Sequence, residues 1–87
     1  MQFKDMSVDG TIISASQQQN AYRKFLKAIQ ESGPKTLHVF QVLLNRAGVP
    51  LGVTNRAADR ILQRARKANQ IVFSKGGWHI HMDQKRT

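Results

Sequence analysis

Residues 54–82 read TNRAADRILQRARKANQIVFSKGGWHIHM, and midway along them the spacing of apolar residues changes. Up to Asn69, the residues Ala58, Ile61, Leu62 and Ala65 recur at three- and four-residue intervals, which marks one buried face of a helix. After Gln70 the period drops to two: Ile71-Val72-Phe73-Ser74-Lys75, a Gly76-Gly77 break, then Trp78-His79-Ile80-His81-Met82. The switch predicts a helix over 54–69 followed by a β-hairpin with a two-residue turn. With Gly76 and Gly77 as that turn, Lys75 faces Trp78, Phe73 faces Ile80 and Ile71 faces Met82, all on one largely apolar face. Val72/His81 and Ser74/His79 then form the other face, and a one-residue slip would mix the two.

The same helix carries Arg56, Arg60, Arg64 and Lys67 on the side away from its apolar stripe. At about 100° per residue these four span a sector roughly 80° wide. Like charges four residues apart cost an isolated helix a few tenths of a kcal/mol per pair. Asp59 is the only acid in the segment that tempers them. Solvated helices usually mix signs, so a stripe so lightly countered points to a polyanion.

Upstream, 48–53 is a connection holding two glycines and a proline, and Thr54 is placed to cap the helix that follows. Before it, Leu37, Phe40, Leu43, Leu44 and Ala47 predict a second helix over 36–47. Val39 and Val42 add apolar character behind that face, so the helix is expected to lie centrally. A first helix over 18–31 follows from Tyr22, Phe25, Leu26 and Ile29, with Ser14 or Ser16 near its cap and Ser32-Gly33-Pro34 as its stop. Its basic residues Arg23, Lys24 and Lys27 read equally well as a solubilising face or as distant phosphate contacts. Residues 1–16 lack helical periodicity; Thr11-Ile12-Ile13 reads as a short strand or as disorder. The expected organisation is a flexible or partly ordered segment 1–16, a folded domain 17–82 and a polar, basic tail 83–87.

Composition narrows the function classes. Fourteen Lys and Arg stand against five Asp and Glu, a formal net charge of +9 on 87 residues, and the isoelectric point is near 11.0. Such a balance fits nucleic acid or an anionic surface as partner. There is no cysteine, which removes disulfides and thiolate metal sites. His79 and His81 alone are a weak metal signal, two ligands without a clear third. Neither a close carboxylate pair nor a glycine-rich phosphate loop is present, so no enzyme, cofactor or metal site is expected. Apolar runs stay well short of a membrane span and the N-terminus has no signal pattern; the expectation is a soluble, cytoplasmic protein, nucleoid-associated if bacterial.

Three helices followed by a hairpin give a mostly α, α+β fold class whose element order resembles the winged helix-turn-helix DNA-binding superfamily over about 65 residues. The 48–53 connection is longer than the tight turn of a simple helix-turn-helix, and the second helix is more apolar. The resemblance implies that the third helix enters the major groove of duplex DNA and the hairpin, or wing, touches the backbone. Thr54, Asn55 and Arg56 would then lie nearest the groove floor, with Arg56 able to hold guanine bidentately. Arg60, Gln63, Arg64 and Lys67 would follow along the groove, the last two near phosphates, while Lys75 and Trp78 approach the backbone from the wing. Core packing of Trp78 is the stronger of its two readings, over stacking or anchoring a partner.

The implied function is a small transcriptional regulator, with a homodimer on a twofold site as one form. RNA binding is the first alternative, weakened by the lack of a paired aromatic platform typical of single-strand readers. The second is a protein-interaction module in which Phe3, Val39, Val42 or Trp78 would be exposed anchors.

Overall fold

The computed structural model describes residues 2–30, 36–74 and 76–80, a mostly helical α+β arrangement with two small antiparallel strand pairs. In order come β1 (Met6–Val8), β2 (Thr11–Ile13), α1 (Ala15–Gln30), α2 (Leu37–Gly48), a 3-10 turn (Val49–Leu51), α3 (Asn55–Lys67), β3 (Ile71–Ser74) and β4 (Gly77–Ile80). The 32–34 stop signal and the tail 83–87 lie outside the described residues, as do Lys75, His81 and Met82.

The segment before α1 resolves the choice between strand and disorder in favour of a strand pair. Asp9 and Gly10 both have positive φ, 51° and 81°, as the tight turn best matched to strand twist requires. Val8 and Ile13 are buried beneath it. Hydrogen bonds cap the start of α1 and tie it to this hairpin. Ser14 and Gln17 cap the helix reciprocally: Gln17 N donates to Ser14 Oγ at 3.0 Å and Ser14 N to Gln17 Oε1 at 2.8 Å, a capping box. Ala15 N donates to Asp5 Oδ1 at 2.8 Å. Inside the core, Gln18 Nε2 donates to Lys4 O at 2.6 Å and Ile13 O at 3.1 Å.

Phe25, Phe40, Leu44, Ile61 and Ile13 form the centre of the core. A run of rings, Phe3–Tyr22–Phe25–Phe40, crosses it with centroids 5.6–5.7 Å apart. α2 is central in that it packs against both α1 and α3, but it is not buried all round: Phe40, Leu44 and Gly48 are buried, whereas Val39, Val42 and Leu43 are only half-buried. A domain of this size has too little chain to surround a helix. Gly48 lets the connection leading into α3 fold back against the end of α2, because a Cβ there would meet Val53 Cβ at 2.9 Å.

α3 is capped at both ends by local chemistry. Thr54 Oγ1 accepts from Ala57 N at 3.2 Å. At the other end Asn69 takes φ 60°, and Asn69 N donates to Arg66 O at 3.1 Å and Gln70 N to Ala65 O at 2.8 Å, a Schellman ending that turns the chain into β3.

The β3–β4 pairing departs from the expected register. Ile71 pairs with Ile80, Val72 with His79, Phe73 with Trp78 and Ser74 with Gly77, so Gly77 belongs to the strand and not to the turn, and Gly76 before it has φ 80°. The shift moves each partner by two positions, which preserves the face of every side chain. It matches like with like: Ile71 and Ile80 meet at the core, and the Phe73 and Trp78 rings meet edge-on at 5.5 Å nearer the turn. Trp78 therefore faces Phe73, not Lys75.

Tyr22 is 7% exposed and its hydroxyl has no hydrogen-bond partner among the described residues. Burial raises its phenol from 10.0 to about 12. A raised folded-state value means the neutral form stabilises the fold below pH 10 and that this contribution disappears as pH climbs towards 12. Because the buried hydroxyl is unpaired among the described residues, Tyr22→Phe should gain about 1 kcal/mol at neutral pH. Its advantage should widen by about 2–3 kcal/mol between pH 10 and 12, at roughly 1.36 kcal/mol per unit. Urea denaturation of both proteins at pH 8 and near pH 12 measures this; parallel losses would refute it.

Candidate nucleic-acid interface

α3 is divided between core and surface. Ala57, Ala58, Ile61, Leu62 and Ala65 are buried, while Thr54, Asn55, Arg56, Arg60, Gln63 and Lys67 are exposed and Arg64 is half-buried. Thirteen residues make a helix roughly 20 Å long, so Thr54 and Lys67 mark opposite ends of the exposed face. The Thr54 hydroxyl already accepts the capping bond. Gln63 Nε2 donates to Asp59 Oδ2 at 3.2 Å, which draws the helix's one carboxylate towards an amide rather than an arginine.

The two hairpins flank this helix. On one side, Arg56 Nε lies 3.8 Å from Asp9 Oδ2 at the β1–β2 turn, both side chains more than two-thirds exposed; such a pair contributes at most about 1 kcal/mol. Arg64 Nη2 donates to Gln2 O at 2.9 Å. Its angular position borders buried Ala57, which explains its partial burial. Between the N-terminal segment and α3 lie an open cavity of about 330 Å3 against Met6, Arg60, Gln63, Arg64 and Lys67, and another of about 590 Å3 reaching Gln2 and Lys4.

On the other side β3–β4 covers the C-terminal end of α3. The Arg66 guanidinium carbon lies 5.2 Å from the Trp78 ring centroid, within cation–π range. Trp78 is half-buried and packs against the core, and Phe73 beside it is exposed. Gln63, Arg66, Lys67, Phe73 and Trp78 line an open cleft of about 450 Å3 here.

The structure thus brings Arg60, Gln63, Arg64 and Lys67 together and sets Trp78 beside that end of the helix. Thr54, Asn55 and Arg56 stand at the far end, and Lys75 is outside the described residues. Sequence reasoning missed Lys4, Arg66 and Phe73. Arg66 projects roughly 80° outside the basic sector, next to Leu62, and only the hairpin's position makes that flank part of the site. Among the described residues no three His, Cys, Asp or Glu side chains gather as a metal site, and no helix is long and apolar enough to cross a membrane. Comparison of the chain with known protein families, curated proteins and solved structures finds no match.

Proposed function

We propose that this protein binds duplex DNA as a small transcriptional regulator of the cytoplasm, with α3 in the major groove and β3–β4 as the wing of a winged helix-turn-helix. The observation that carries this reading is the division of α3: one face is buried, and the other bears Arg56, Arg60, Arg64 and Lys67, countered by Asp59 on the helix and Asp9 beside Arg56. Lys4 and Arg66 extend the basic surface onto both flanks. Arg60, Arg66, Lys67 and Lys4 contact phosphates, while Asn55 and Arg56 at the start of the helix reach base edges. The exposed Arg56–Asp9 pair is weak enough for a guanine or phosphate to displace it.

The test is affinity for a mixed-sequence duplex against salt. These four phosphate contacts give a log–log slope of about −3.6, so raising salt from 50 to 200 mM should weaken binding about 150-fold. A slope shallower than −1 would overturn the reading. Structured RNA of equal length competing as well as the duplex would redirect it to RNA, since charge alone does not separate the two helical forms.

A further inference from the structure

The cleft between the C-terminal end of α3 and β3–β4 holds chemistry that a continuous duplex does not use. Phe73 is 61% exposed, an unusual position for a large ring on a hairpin whose base is in the core. Its ring meets Trp78 edge-on, at 65° between planes, and Arg66 lies over Trp78. The Trp78 surface is therefore occupied, whereas the Phe73 face is open to the solvent. Around it stand the cations Arg66 and Lys67 and the amides Gln63 and Asn69, in a cleft of about 450 Å3, within the range of small-ligand sites. An open aromatic face bordered by cations and amides matches one group on a polyanion: an unstacked base still joined to its phosphates. In an uninterrupted duplex each base face is covered by its neighbours, so Phe73 would meet only edges and sugars.

We infer that this cleft receives one unpaired nucleobase of DNA, stacked on Phe73, with its phosphate on Arg66 and Lys67 and its edge at Gln63 and Asn69. The inference rests on the DNA-binding reading and deepens it: the protein prefers a duplex interrupted by a bulged nucleotide to a continuous one. The aromatic pair behind it exists because of the register of β3–β4, which places Phe73 opposite Trp78.

Trp78 is the only tryptophan, so its fluorescence reports on the cleft. Three duplexes of one length are titrated: continuous, with a single bulged adenosine, and with the same bulge abasic. The expected result is about tenfold tighter binding and Trp78 quenching with the bulged adenosine, the abasic bulge falling back to within twofold of the continuous duplex. Phe73→Ala should remove the preference for the bulged adenosine over the continuous duplex, and Phe73→Tyr should retain it. Equal binding of adenosine and abasic bulges would overturn the inference, since flexibility and not stacking would then be recognised, and so would equal binding of bulged and continuous duplexes. Binding only to the bulged adenosine, with none to the continuous duplex, would uphold the cleft and overturn major-groove reading by α3. Binding to none of the three would overturn both.

Discussion

Arg60→Glu combined with Lys67→Glu should lower affinity for a continuous duplex by about a thousandfold at 0.1 M salt. Each phosphate contact contributes roughly 0.9 of a decade per decade of salt. Losing two contacts at 0.1 M therefore removes nearly two orders of magnitude, and two carboxylates facing phosphates add repulsion of about one order more. Both positions are exposed, so the fold should change little. The new carboxylate at position 60 relieves repulsion between Arg56 and Arg64 and their neighbour, while the one at position 67 opposes the helix dipole, each by less than about 1 kcal/mol. Arg23→Glu with Lys24→Glu on α1 makes the same change in net charge away from α3 and should cost less than tenfold. Fluorescence anisotropy with labelled duplex compares the pairs; equal losses would mean that bulk charge, and no particular face, governs binding.

Gln18→Glu should remove a large part of the protein's stability at pH 7. The Gln18 side chain is fully buried and donates from Nε2 to two backbone carbonyls, Lys4 O and Ile13 O. A carboxylate there has no proton to donate and faces two acceptors in an apolar core. The expected loss is about 3–5 kcal/mol, against about 4–13 kcal/mol for a whole domain of this length. Burial raises the carboxyl's folded-state value above its unfolded one. The acid therefore supports the fold at low pH, and the penalty grows as pH rises past the unfolded value, so the variant should recover between pH 7 and pH 4. Gln18→Met removes the donors without adding charge and should cost about 2 kcal/mol with no such recovery. Urea denaturation at both pH values decides; a loss under 1 kcal/mol at pH 7 for Gln18→Glu would show that this side chain does not hold the β1–β2 hairpin in place.

How far the sequence could be read differed along the chain for identifiable reasons. The three helices were legible because each carries an apolar stripe at helical spacing, with Thr54 and a serine, Ser14 or Ser16, as start signals. The strand pair β1–β2 was harder to see because each strand has three residues, too few for a periodic pattern. Asp9-Gly10, a turn signal in its own right, was the clue available. The β3–β4 register was misjudged because two adjacent glycines offered two turns. Shifting each partner by two positions preserves every face, so alternation of apolar and polar residues cannot choose between them. One consequence reached the site: the expected register separated Phe73 from Trp78, and the paired aromatic surface went unrecognised.

The sequence by itself determined α3, its buried face and its basic face, because backbone hydrogen bonding, capping and side-chain spacing act within a few residues. It likewise determined that a hairpin follows. Only the tertiary structure decided what stands on either side of that helix. The Arg64–Gln2 bond spans 62 residues, the Gln17–Leu51 bond 34, and the Arg66–Trp78 contact joins a helix to a strand. Such contacts depend on where whole elements pack, and single residues distant in the chain leave no periodic trace of having met.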